Sequence, residues 1–441
     1  MYDIIFIGSG HAAWHGAQTL ARAGKKVALV EANKVAGTCT NFGCNAKILL
    51  DGPAEMMHHL HHYHGIGIND TPDIIWPELM AYKHQVIDPL SDGLAKMLSV
   101  DGIDIIAGHA QFIDPQTITV GDVQYQADQF VIATGQRPAK LPITGAKLTH
   151  DSTDFLDLPE MPKSMIFIGA GYIAMEFASI AHAAGSQVTL IEYGDRALNG
   201  FDVDYAQQVV TDMSAKGIQF NFGQAVASVT TLDNGQYAVE TAQGQHFEAE
   251  YVMDTTGRVA NIDGLGLDTI GVAYDRQGVL VNDHLQTTVD NIYAAGDVID
   301  KTQPKLTPTA IFESKYLMHL FAGDTTAPID YPVIPSVVFT SPRIAKVGLQ
   351  ADQITTLDKY QIETHDVLKN WYRNVMNEQF GENELIFDDQ HHLVGATEMS
   401  DYAEQVIGTL LPAVELGLDA EQVERMIHIF PSLESITWEQ I

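Results

Sequence analysis

Two segments of this 441-residue chain repeat one plan, and the repeat constrains the fold more than any other feature. The first, YDIIFIGSGHAAWHGAQTLARAGKKVALVEA, runs from an apolar stretch (Ile4 to Ile7) through Gly8-x-Gly10-x-x-Ala13 and an alanine-rich helical pattern to a second apolar run ending at Glu31. The second, SMIFIGAGYIAMEFASIAHAAGSQVTLIEY, carries Gly169-x-Gly171-x-x-Ala174 and ends at Glu192. In each copy the first glycine precedes the acid by 23 residues (8 to 31, 169 to 192). A lone glycine motif says little, but two in strand–turn–helix–strand context with matched acids predict two dinucleotide-binding halves. The first glycine permits the tight turn, the second lets the backbone approach a pyrophosphate, and the alanine keeps helix and strand close. The helix N-terminus then faces the anionic phosphates, and the acid accepts from a ribose hydroxyl.

Each copy is followed by a strand ending in Thr-Gly: FVIATGQRP with Thr134-Gly135, and YVMDTTGRVAN with Gly257. Two nucleotide sites in one chain imply two nucleotides, one a fixed flavin and the other an exchanging nicotinamide. Hydrophobic content of 46% and 36 glycines agree with an α/β chain large enough for several domains. The 57 acidic against 24 basic residues, a formal charge of −33, would repel nucleic-acid phosphates and anionic membranes, so neither is expected as a partner. No apolar run approaches the ~20 residues that span a bilayer. The first strand pattern begins at residue 2, which leaves no room for a leader, and the expectation is a cytoplasmic protein.

The only two cysteines, Cys39 and Cys44, sit in GTCTNFGCNAKILL shortly after the first ribose acid. In a reducing compartment such a pair is redox-active or metal-binding rather than a structural staple. With no second Cys pair to complete a metal site, hydride-to-disulfide electron transfer is the natural chemistry.

With these residues in view, the whole chain resembles the class I pyridine nucleotide–disulfide oxidoreductases, the group of glutathione reductase, dihydrolipoamide dehydrogenase and mercuric reductase. The resemblance is carried by the two fingerprints, GTCTNFGC, GHAQF (108–112), TTVDNIYAAGD (287–297), LTPTAIFESKYL (306–317) and IPSVVFTSPRIAKVGL (334–349). It implies two Rossmann-like three-layer domains, binding FAD and NAD, plus a C-terminal α+β dimerisation domain. The expected boundaries are 1–138 with 263–330 for FAD, 139–262 for NAD(P) and 331–441 for the homodimer interface. FAD is assigned to Gly8, Gly10, Ala13, Glu31, Thr38, Ala110, Thr134, Gly135, Gly296, Asp297 and Thr307, the last opening a helix whose dipole faces the flavin. The nicotinamide nucleotide is assigned to Gly169, Gly171, Glu192 and Gly257. Tyr172 matches the residue gating the nicotinamide pocket, and Glu176 the acid that pairs with a lysine, here Lys47. Glu192, Tyr193, Gly194 and Asp195 put negative charge where a 2′-phosphate would sit, so NADH is favoured over NADPH, with Arg196 the one nearby cation. Cys39 is the expected interchange thiol and Cys44 the thiol facing the flavin, helped by a helix starting in NAKILLDGPAEMM.

The chain departs from the family at two places. CNAK puts Lys47 three residues after Cys44 without the usual proline. More consequentially, HIFPSLES (428–435) aligns Phe430 with the family's acid/base histidine and Ser435 with its orienting glutamate. Phe cannot shuttle a proton; His428 and Glu434 are the candidates to substitute, against a purely structural histidine. Three functional readings follow. The leading one is an NADH-dependent enzyme reducing a small-molecule or protein disulfide. The alternative is reduction of a metal ion, quinone or oxidant that needs no protonated leaving thiol, and a minor one is a non-enzymatic flavoprotein redox sensor.

MMHHLHHYHG (56–65) places His58, His61 and His62 on one helical face, a spacing that can bind zinc or copper; the alternative is a partly exposed helix that tolerates histidine. Residues 371–400 read as strands of a C-terminal antiparallel sheet, and 401–418 as its helix.

Overall fold

A computed structural model describes residues 1–355 and 359–441. The chain divides into two compact units. The first comprises residues 1–49, 80–139 and 257–331; the second comprises 50–79, 140–256 and 332–441.

The first unit is built on a seven-stranded sheet. Its parallel part runs Asp104–Ala107, Val27–Glu31, Tyr2–Ile7, Val123–Ile132 and Ile292–Ala294, with Ile4 opposite Val27 on one side and Gln129 on the other. Thr117–Val120 and Ala110–Asp114 extend it antiparallel. Ile4, Ile5, Phe6 and Ile7 are all buried in succession, so both faces of this strand are covered; that is why it reads as a continuous apolar run rather than an alternation. The helix His11–Arg22 buries Ala12, Ala13, Gly16, Ala17 and Leu20. Gly16 lets this helix meet Thr307–Ala322 closely: a Cβ there would stand 2.5 Å from the Ser314 carbonyl oxygen, and the Gly16 N–H donates to Ser314 Oγ at 3.0 Å.

The second unit holds a four-stranded parallel sheet ordered Gln219–Asn221, Gln187–Ile191, Ser164–Ile168 and Tyr251–Asp254. The helix Tyr172–Ala183 follows its central strand, and a three-stranded antiparallel sheet accompanies it. The same unit contains a five-stranded antiparallel sheet, ordered Ser336–Val338, Arg343–Gly348, Leu393–Ser400, Glu382–Asp388, Tyr360–Asp366. The helix Ala403–Leu416 buries Val406, Ile407 and Leu410 in a cluster with Val347, Leu385 and Phe387 of that sheet. The result is two nucleotide-binding-type α/β sheets and a C-terminal α+β region.

One stretch differs from the sequence reading. Residues Trp371–Val375 form a helix, not a strand, because the Asn370 side chain accepts from the Tyr372 and Arg373 N–H groups and caps it. Its Arg373 is then buried between Glu378 and Glu398. Strand structure in the 371–400 segment is confined to Glu382–Asp388 and Leu393–Ser400.

Candidate active site

Both glycine turns are built alike. Gly8 and Gly169 have φ of 108° and 103°, and a Cβ on Gly8 would lie 2.3 Å from the Ala133 carbonyl oxygen, so the turn admits only glycine. Gly10 and Gly171 cap the following helices, and a Cβ would find only Gly37 Cα at 3.9 Å in the first case and nothing within 4 Å in the second. That open space in front of a helix N-terminus fits a pyrophosphate.

The two acids tie their loops the same way. Glu31 Oε2 accepts from the Ser9 N–H (3.1 Å) and hydroxyl (2.5 Å), and its Oε1 from the Asn33 N–H (2.8 Å). Glu192 Oε2 accepts from the Ala170 N–H and its Oε1 from the Gly194 N–H, both at 2.7 Å. A carboxylate offers about four lone-pair sites, so each acid retains capacity for a ribose hydroxyl. Arg196 is turned to Asn199, donating from Nε to Oδ1 (3.1 Å) and from Nη2 to the carbonyl (2.9 Å).

Further residues assemble around the first turn. Gly296 packs onto the start of the first fingerprint helix, where a Cβ would stand 2.7 Å from Ala12 Cβ. Its N–H donates to Glu313 Oε2 at 2.6 Å, while Glu313 Oε1 accepts from Lys301 Nζ (2.6 Å) and the Tyr331 hydroxyl (2.9 Å). Glu313 is fully buried and the Lys301 side chain 3% exposed, so a complete ion pair fixes the loop that presents Asp297. Lys305 Nζ donates to the Asp297 carbonyl at 3.0 Å. Thr134 Oγ1 donates to the Asn261 carbonyl and Asn261 Nδ2 to the Thr134 carbonyl, joining the strand ends at Gly135. Ala110 is buried and Thr38 exposed. Gly257 leads from the Tyr251–Asp254 strand into the short pair Arg258–Ala260 with Gln136–Pro138. Glu313, Lys301, Tyr331 and Asn261 were not singled out from sequence, because Glu313 shares its helix with Ser314, Lys315 and His319 and nothing local marks it as the buried one.

Cys39 lies in the short helix Gly37–Phe42, and Cys44 is the first residue of the long helix Cys44–His62, with Gly43 as the break between them. Both thiols are free. Cys44 Sγ is 3.6 Å from Thr307 Oγ1, at the first residue of the Thr307–Ala322 helix. The Cys44 thiol is lowered to about 6, first by the hydrogen bond from Cys39 and then by the Thr307 hydroxyl and the charge of Lys47. Cys39 is pushed up, since its proton is held by the neighbouring sulfur and burial opposes a second thiolate. A thiolate at a helix N-terminus beside a retained thiol is a primed dithiol. Lys47 is buried in the first unit. In the second unit Tyr172 opens its helix half exposed, and buried Glu176 accepts from the Phe339 N–H at 3.0 Å.

At the C-terminus Phe430 is 68% exposed, with its ring 5.6 Å from that of Trp371. His428 Nδ1 is 3.4 Å from Glu434 Oε1, and the His428 ring stacks on Trp438 at 5.6 Å. Ser435 is buried in the terminal helix Leu433–Trp438. Among the histidines of the long helix, His58 and His62 converge on Asp401 with His59 beside them, whereas His61 is exposed. The face toward Asp401 spans positions 58, 59 and 62; position 61 lies on the other side of His58 around the helix. Asp401 is 343 residues from His58, so nothing local pointed to it.

Among the described residues no helix is long and apolar enough to cross a membrane. Residues 2–314 match the pyridine nucleotide-disulphide oxidoreductase family, and residues 334–440 the dimerisation domain of that family. The chain is 30% identical to a dihydrolipoyl dehydrogenase of Halobacterium salinarum, over 99% of this chain and 95% of the relative. It is 31% identical to a dihydrolipoyl dehydrogenase of Bacillus subtilis, with the same coverage. A glutathione reductase of Burkholderia cepacia is 29% identical over 98% of this chain and 96% of its own length. With its paired nucleotide turns, its dithiol at a helix start and its dimerisation domain, the chain belongs to the pyridine nucleotide-disulphide oxidoreductases, as an FAD-dependent oxidoreductase with a disulfide redox centre.

Proposed function

We propose that this enzyme oxidises NADH and delivers the electrons through Cys39 and Cys44 to a disulfide acceptor. FAD supplies reversible two-electron chemistry when bound. Gly8, Gly10, Glu31 and the loop braced by Glu313 would hold it, and the open space before Gly10 supports the fit. Glu192 supports NADH, because its carboxylate accepts a 2′-hydroxyl and repels a 2′-phosphate. The observation that carries the reading is the placement of the dithiol, with Cys44 at the start of the Cys44–His62 helix and its Sγ 3.6 Å from Thr307 Oγ1; in that setting the two thiols shift in opposite directions, Cys44 down and Cys39 up.

That asymmetry gives the dithiol its own base. Cys39 transfers its proton to Cys44 as its sulfur attacks one sulfur of the acceptor, breaking the acceptor's S–S bond and expelling one thiolate. Cys44 then gives up the proton, its thiolate still favoured by the Thr307 hydroxyl and the charge of Lys47, and attacks Cys39. The Cys39–Cys44 disulfide forms and the second acceptor thiolate leaves; with two protons taken up, the acceptor disulfide has become two thiols and the dithiol is oxidised. The relatives named as dihydrolipoyl dehydrogenases and a glutathione reductase support a disulfide partner. The test is steady-state NADH oxidation with lipoamide, glutathione disulfide and CoA disulfide. Turnover with at least one, abolished in Cys39→Ser, is expected; activity with none, or activity surviving that change, would overturn the reading.

Phe430 favours a second reading, in which the acceptor is a metal ion, quinone or oxidant. Such acceptors release no thiol that must be protonated. NADH-dependent quinone or Cu(II) reduction that requires Cys44, without disulfide turnover, would select it.

A further inference from the structure

The second unit contains a buried cluster that the redox chemistry does not use. His58 Nε2 is 2.7 Å from Asp401 Oδ1, His62 Nδ1 is 3.4 Å from Oδ2, and His59 Nδ1 is 3.8 Å from Oδ2. The Asp401 side chain is 2% exposed, and those of His58 and His62 are 9% and 11% exposed. Three imidazoles thus face one carboxylate, which carries a single negative charge. Among the described residues, His58, His62 and Asp401 are the one group of such side chains whose ligand atoms all lie within 4.8 Å of one another.

We propose that His58, His62 and Asp401 bind a divalent transition-metal ion of the zinc class, with His59 as a reserve donor. The i, i+4 spacing sets two imidazoles on one face of the Cys44–His62 helix, and Asp401 directly follows the strand Leu393–Ser400. The histidines stand on a helix and Asp401 in the two-residue turn between that strand and the helix Ala403–Leu416, so the donors are positioned before the ion arrives. Two nitrogens and one carboxylate suit zinc and its neighbours, whereas calcium and magnesium require oxygen shells. His59 borders an open groove lined by Gly52, Met56, Leu60 and Tyr63, which gives the ion a route in.

Lys216 sets the terms of loading. Its Nζ lies 3.4 Å from His58 Nδ1 and is also held by Asp212 (2.6 Å) and the Ser341 carbonyl (2.5 Å). As a pure donor it makes His58 Nδ1 an acceptor and leaves the ring proton on Nε2, bonded to Asp401. An ion on Nε2 moves that proton to Nδ1, and the ammonium then rests on Asp212 and Ser341 alone. Lys216 therefore competes with the cation.

The experiment uses full-length, FAD-loaded protein carrying Cys39→Ser and Cys44→Ser, since the cysteine pair could itself take zinc. Metal-free protein is titrated with Zn(II) against a chromophoric chelator, and with Co(II) by visible absorption. One ion per chain is expected. His62→Gln should weaken binding on the order of a hundredfold, given the large share each donor carries in a zinc site. Lys216→Met keeps every ligand and should tighten binding several-fold, with flavin absorbance and circular dichroism verifying the fold. Absence of saturable binding, unchanged affinity in His62→Gln, or unchanged affinity in Lys216→Met would each overturn the assignment.

Discussion

Cys44 Sγ and Thr307 Oγ1, 263 positions apart in sequence, meet at 3.6 Å where two helices begin. The hydroxyl donates to the thiolate, and this contact follows the Cys39 hydrogen bond among the causes that bring Cys44 to about 6. The sign is direct: the thiolate is complete well above that value and is lost as pH falls through it. Thr307→Val should move the thiolate midpoint upward, and Lys47→Met should do so by a smaller amount. The measurement is the ultraviolet thiolate absorbance of the reduced protein titrated from alkaline to acid pH. An unmoved midpoint in Thr307→Val would show that the hydroxyl does not stabilise the thiolate.

The Lys301–Glu313 pair predicts a stability effect with a built-in control. Glu313 is fully buried and shares its oxygens among Lys301, Tyr331 and the Gly296 N–H. Lys301→Met leaves an uncompensated buried carboxylate, which costs about 3–5 kcal/mol. Adding Glu313→Gln removes the charge while keeping an acceptor for the Gly296 N–H, so the double variant should recover most of the loss. Urea unfolding, with flavin release as a second signal, measures both; a single-variant loss below about 1 kcal/mol would place the pair among the weak ones.

The dinucleotide halves were legible because their determinants are contiguous. Each first strand ends in an apolar run (Ile4 to Ile7, Met165 to Ile168), each turn needs glycine at a positive φ, and Glu31 and Glu192 close back onto the loops that precede them. Cys39 and Cys44 were legible for the same reason. The reading weakened where partners come from far along the chain. His58 and His62 find Asp401, and helical phase alone allowed a face including His61 as readily as the one with His59. Arg373 sits in a short helix because Asn370 caps it and Glu378 and Glu398 neutralise it, which no apolar periodicity reports.

Nicotinamide choice follows from the charge at the second acid. A 2′-phosphate about 4 Å from the Glu192 carboxylate would cost ~1–4 kcal/mol between the fully hydrated and surface limits, a ~5- to ~1,000-fold preference for NADH. Glu192→Ala should raise KM for NADH by about tenfold, a loss of ~1.4 kcal/mol, and should narrow the NADH/NADPH ratio of kcat/KM. With Arg196 committed to Asn199, the expected preference is for NADH. Equal kcat/KM for the two nucleotides in the unaltered enzyme would contradict this account.

Phe430 and His428 give the last prediction, because they separate a missing acid/base from a displaced one. Phe430 is exposed beside Trp371, whereas the His428 side chain is 15% exposed, stacked on Trp438 and paired with Glu434. A histidine so enclosed is placed to hold the terminal helix rather than to reach a leaving thiol. His428→Gln should therefore lower the unfolding midpoint while leaving disulfide turnover within about twofold, against the 10²–10⁴-fold that loss of a working acid/base would cost. Phe430→His restores an imidazole at an exposed position and should raise kcat on disulfides by on the order of a hundredfold. It should leave quinone or metal reduction unchanged, since those acceptors need no proton at the leaving atom. The pH profile adds an independent sign: beside the inflection that Cys44 gives near 6 in either protein, Phe430→His should show a second one from its imidazole, in the range of about 6.5. A large fall in His428→Gln, with no gain in Phe430→His, would instead make His428 the proton donor and Glu434 its orienting acid.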